Sequence, residues 1–127
     1  MQIMKSISWL GLVVALFLIV SVSVAFAVSW KIIYTTKDVV KSGDALGYKP
    51  FKLYENVEYG FVVKKISGDV DVDVFLFNPG DRLAAKGEKK GDTNLLLFTP
   101  KITEEGYKIV VKSKKGEGEM RLTLAHK

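Results

Sequence analysis

The 127-residue sequence contains no cysteine and a single histidine, His126. The first absence excludes disulfides, on which small exported domains often depend. Any fold here must rest on core packing. The second leaves too few soft ligands for a zinc centre. A Ser-His-Asp relay is also disfavoured, because it needs a held and buried imidazole, and His126 is one residue from the C-terminus. Neither G-x-x-x-x-G-K-[ST] nor G-x-G-x-x-G occurs, so phosphate cradling has no support. Arginine is confined to Arg82 and Arg121. The net charge of +5 therefore comes mostly from lysine, with acidic residues interspersed; Lys5 supplies one unit, leaving +4 beyond residue 30. Nucleic-acid binding favours clustered arginine and exposed aromatics, so this is read as a solvated lysine-rich surface with no nucleic-acid partner.

Charge is absent from one long stretch. Ile7 to Trp30 spans 24 residues without a charged side chain. At 1.5 Å per residue that is enough to cross roughly 30 Å of hydrocarbon. Trp9 and Trp30 stand near its two ends, where interfacial aromatics belong. Two readings fit. One is an uncleaved signal anchor over residues 1–30, a single-pass segment in the lipid bilayer. The other is a signal peptide cut after Ala25-Phe26-Ala27, an A-x-A match. The length of the apolar run favours the anchor, because signal-peptide cores are usually about 7–15 residues long.

Helical periodicity is also missing beyond residue 30, and period-2 alternation takes its place. Residues 30–35 read as a first strand. Ser42-Gly43-Asp44 is a turn signal, and residues 48–54 form an edge strand or strand start, because Pro50 lacks an N–H. In residues 57–66, Val57, Tyr59, Phe61 and Val63 share one face. In residues 69–77, Val70, Val72 and Val74 point one way and Asp69, Asp71 and Asp73 the other. Asn78-Pro79-Gly80-Asp81 turns the chain. A short strand over 82–85 leads to a charged loop over 86–93. Residues 94–99 form a buried strand, and Thr103-Glu104-Glu105 allows one helical turn. Two last strands cover 106–113 and 119–125. Seven to eight short strands at such spacing predict an all-β, antiparallel two-sheet β-sandwich over residues 31–127.

The order of these signals is familiar. Tyr59-x-Phe61-x-Val63 is followed by the run from Asp71 to Gly80, DVDVFLFNPG. Leu95-x-Leu97-Phe98-Thr99-Pro100, Gly106-Tyr107-Lys108-Ile109 and Gly116-Glu117-Gly118-Glu119-Met120 come next. The sequence resembles the bacterial pre-peptidase C-terminal domain and the GOLD domain of Golgi-dynamics proteins. The resemblance implies an exported sandwich used for binding or assembly, not an enzyme. It departs from both patterns, because no protease is attached here and the anchor precedes the sandwich. Charge counting sets Lys5 against Lys31, Lys37 and Lys41 and favours a cytoplasmic domain. The A-x-A match and the resemblance outweigh it, so the sandwich is expected on the extracytoplasmic side.

Asp69, Asp71 and Asp73 are the one constellation with a possible cofactor. Alternation sets them about 6.5–7 Å apart on one face, and Asp92 or Asp81 would complete an oxygen cage for calcium. The plainer reading, which is preferred, makes them the solvent face of a strand with Lys64 or Lys108 opposite. Tyr48, Tyr54, Tyr59 and Tyr107 offer an aromatic ligand surface, but tyrosines more often complete a core edge. The expected function is a non-enzymatic, membrane-anchored sandwich acting through protein–protein contacts, an accessory subunit of a membrane complex. Gly11, Ala15, Ser21, Ser23 and Ala25 would let its helix pack on another. The alternative is a secreted carbohydrate- or cell-wall-binding module, with or without calcium.

Overall fold

A computed structural model describes residues 30–48 and 50–127. The expected anchor, with Trp9 at one end, lies outside the described residues, apart from Trp30. Among the described residues, Tyr34–Leu124 forms one compact unit, and residues 30–33 with Ala125–Lys127 belong to the other. Among the described residues there is no helix long and apolar enough to cross a membrane.

Ten strands are described: β1 (Lys31–Val40), β2 (Ala45–Gly47), β3 (Phe51–Leu53), β4 (Tyr59–Gly68), β5 (Asp71–Phe77), β6 (Leu83–Lys86), β7 (Glu88–Lys90), β8 (Thr93–Phe98), β9 (Glu104–Lys115) and β10 (Gly118–His126). They form two sheets. One has the order β2-β9-β5-β6, with β3 also paired to β9. The other has the order β1-β10-β4-β8-β7. The fold class is therefore the expected all-β arrangement of two sheets, with ten described strands instead of seven or eight.

Alternation explains the layers. Along β5, Val72, Val74 and Leu76 are buried, while Asp71, Asp73, Phe75 and Phe77 are only half-buried. Inward side chains of both sheets meet in one core that includes Phe61, Leu96, Ile109, Met120 and Leu122. Burying each such side chain contributes about 1.5–3 kcal/mol, which is how the sandwich closes without a disulfide. Strand β9 is the spine of its sheet: β5 runs along one side, while β2 and β3 take successive parts of the other.

Four expectations need correction. The first strand continues to Val40. The strand expected over residues 48–54 is confined to β3, Phe51–Leu53, which begins just after Pro50; β2 precedes it in a stretch read as polar turn, and both pair with β9. The charged stretch 86–93 contains strand β7, which pairs with β8. Its charges suit an edge strand, where they discourage pairing with another chain. Glu104 and Glu105 open β9 instead of a helical turn, because they pair with Leu53 and Lys52 of β3.

Candidate functional site

Strand β6 accompanies β5 only along Phe75–Phe77, and the chain then crosses to the other sheet through Gly87. The Asp71–Val74 part of β5 thus loses its neighbour on that side. Its carbonyls still need partners, since an unpaired buried carbonyl costs about 1–3 kcal/mol. Gly87 N–H donates to the Val74 oxygen at 2.8 Å. The Nδ2 of Asn94, on β8, donates to the Val72 oxygen at 3.1 Å. Asn94 is only 3% exposed, and its Oδ1 has no hydrogen-bond partner. One buried amide therefore continues the ladder where β6 leaves it.

Beside this gap lies a cavity of about 260 Å³, lined in part by the apolar Val63, Val70, Val72 and Met120 and in part by charged side chains. Lys89 sits opposite Asn94 in the β7–β8 pairing and shares its face. Its Nζ meets Asp71 Oδ1 in an ion pair that joins the two sheets. The Lys89 amine is held below the ordinary lysine value, first by desolvation and then by Lys114, Lys115 and Lys65.

The three sequence-predicted aspartates are not gathered into a cage. Asp69 and Asp71 line the cavity together with Asp92. Asp73 lies outside it, opposite Lys112 of β9, and Asp71 is opposite Lys115. The expected partners Lys64 and Lys108 are thus replaced by Lys115 and Lys112. Asp81 pairs with Lys108 at 3.1 Å, away from the cavity. Among the described residues, no group of three His, Cys, Asp or Glu side chains is placed to hold a metal ion.

The tyrosines are dispersed. Tyr59 and Tyr107 are in the core at 3% and 4% exposure. Tyr59 Oη accepts from Tyr54 N–H at 2.8 Å, and Tyr107 packs on Phe98. Tyr48 Oη donates to Asp38 Oδ2 at 2.9 Å. Tyr54 is exposed, with Lys52 Nζ above its ring. His126 Nδ1 is 3.2 Å from the Lys127 oxygen.

A different apolar feature lies on the outer face of the β2-β9-β5-β6 sheet. Phe75 and Phe77 have ring centroids 6.4 Å apart. Val110 is opposite Phe75, and Leu83, 54% exposed, is opposite Phe77. Lys86 Nζ stands 5.6 Å above the Phe75 ring, close enough for a cation–π contact. The signal was present in the sequence, since Phe75 and Phe77 hold the same alternate positions as Asp71 and Asp73. The Asp71–Lys89 pair and the role of Asn94 had no such signal.

The architecture has a counterpart of known structure. The chain superposes on the crystal structure of the pre-peptidase C-terminal domain of collagenase from Bacillus anthracis with a TM-score of 0.62 and 21% identity. The match covers 72% of this chain and 87% of that one. The fold is that of a pre-peptidase C-terminal domain. No family model and no curated protein matches the chain. In this pre-peptidase-like sandwich, the cavity opens at the β5–β7 edge, and the aromatic strip covers the outer face of the other half of β5.

Proposed function

We propose that the chain is a non-enzymatic binding domain, held at the extracytoplasmic surface of a membrane by its N-terminal segment and acting through contacts with other proteins. The observation that carries this reading is the uncharged run from Ile7 to Trp30 meeting a strand that starts at Lys31. No linker separates a stretch that lipid would accept from a pre-peptidase-like sandwich. Such a domain stays beside the bilayer and beside whatever else occupies it. The strip of exposed Leu83 with half-buried Phe75, Phe77 and Val110 supports the protein-contact part, because apolar side chains grouped on one outer face favour association.

Fractionation of cells making the full chain tests the proposal. The chain should remain with washed membranes until detergent is added. Protease added outside intact cells or spheroplasts should remove the sandwich. Recovery in the cytosol, or complete protection from external protease, would refute it. The Ala25-Phe26-Ala27 site favours a second reading, release as a secreted binding module. N-terminal sequencing separates the two, since release predicts a mature chain beginning at Val28.

A further inference from the structure

We propose that Lys89 Nζ and Asp71 Cγ form an intramolecular amide bond, which makes a covalent tie between the two sheets of a domain that has no cysteine. Four features of the site point to it. Lys89 Nζ and Asp71 Oδ1 are in direct contact. That oxygen is buried and accepts no hydrogen bond, while the side chains that carry the pair stay partly exposed, Lys89 at 41% and Asp71 at 23%. The two residues sit on short strands of opposite sheets, so the reacting groups are held together instead of finding each other by diffusion, and such fixation supplies a large effective concentration. The cavity that both residues line also carries the apolar side chains Val63, Val70, Val72 and Met120, a surface that penalises two separated charges and favours a neutral product.

The step balances without oxidant, reductant or cofactor. The Lys89 ammonium passes one proton to the Asp71 carboxylate. The neutral amine then attacks Cγ, and a C–N bond forms. The Cγ–OH bond breaks, and the hydroxyl leaves as water with a proton from the attacking nitrogen. One ammonium and one carboxylate become one amide and one water. Lys65 from β4 and Lys114 and Lys115 from β9 crowd the amine and favour its neutral form. Asp69 and Asp92 line the same cavity and are the carboxylates available there to relay the protons. The bond closes a loop through β5, β6 and β7, which restricts the unfolded chain as a disulfide would.

Peptide mapping of the purified full chain by tandem mass spectrometry tests this. The expected product is a branched peptide that joins the Asp71 and Lys89 segments and is lighter than their sum by one water. Trypsin should fail to cut after Lys89. Boiled in detergent, the wild type should migrate faster on a gel than Lys89→Arg and Asp71→Ala. Full recovery from wild type of linear peptides with free Lys89 and Asp71 would overturn the proposal, whether or not the variants fold. Water loss that persists in Lys89→Arg would overturn it too, because arginine cannot form this bond.

Discussion

The Tyr48 hydroxyl shows how a single atom ties stability to pH. It donates to Asp38 Oδ2, which links β1 to the segment between β2 and β3. Burial first, then the hydrogen bond and charge of Asp38, push its ionisation far above that of a free tyrosine. The neutral phenol is favoured in the folded state, so its contribution is fully present below about pH 10, where an unfolded tyrosine begins to ionise. It is lost as pH rises further, because only the unfolded chain then readily gives up the proton. Wild-type melting temperature should therefore fall from about pH 10 upward. Tyr48→Phe should cost about 0.5–1.5 kcal/mol near neutrality and show a shallower alkaline fall. Tyr107, raised by burial and then by Glu104, should leave some slope in that variant. Asn94 gives a second case. Asn94→Ala removes the donor to the Val72 oxygen and should cost about 1–3 kcal/mol in urea unfolding, since that carbonyl stays buried and unpaired. The sequence shows Asn94 opening a buried strand, but its partner is 22 residues away and depends on where β6 departs. Lys89 was equally hidden: in a run of Lys, Gly and Glu, composition alone cannot separate an unpaired surface amine from one that meets a carboxylate of the opposite sheet.

Whole strands were easier to read than their partners. Alternation located β4, β5, β8, β9 and β10 because each buries one face. It missed β7, which is three charged residues long and exposed throughout, so no apolar period exists to detect. It also misread the start of β9, where Glu104 and Glu105 owe their strand conformation to pairing with β3 instead of to propensity. Turns were recognisable by residue type, but their mutual approach was not. The β4–β5 and β9–β10 turns touch backbone to backbone, with Asp69 N–H donating to the Glu117 oxygen at 3.1 Å. Gly116 has φ of +72°, and a Cβ there would lie 2.4 Å from the Asp69 oxygen. Neither backbone can withdraw without breaking its own turn. Gly116→Ala should lower stability by about 1–3 kcal/mol from backbone conformation alone, with the clash adding to it. A denaturant midpoint that matches wild type would show that the two turns are not coupled.

At the scale of the molecule, the sandwich was legible because two-faced strands without cysteine, metal or cofactor motifs leave few other ways to bury apolar surface. The strand order was not, since it depends on pairings such as β4 with β8 and β5 with β9 that no local pattern encodes. Nor did the sequence single out the outer face of β5 as an apolar strip, because the aspartates earlier in the same strand drew the reading towards solvent. That strip now carries the test of the proposed protein contacts. Leu83 is 54% exposed beside Phe77, so its contribution to folding is small. A lysine there leaves the core untouched but places a charge within the apolar patch, where a partner would have to desolvate it. Leu83→Lys should leave unfolding within about 0.5 kcal/mol of wild type. It should also reduce recovery of co-extracted chains from detergent-solubilised membranes by about tenfold or more, the loss expected when a central contact is removed. Equal recovery with equal stability would rule out this face as the docking surface. Lost recovery together with lost stability would instead show that Leu83 acts through the fold, and Lys86→Ala, which removes only the cation above Phe75, would then separate surface from core.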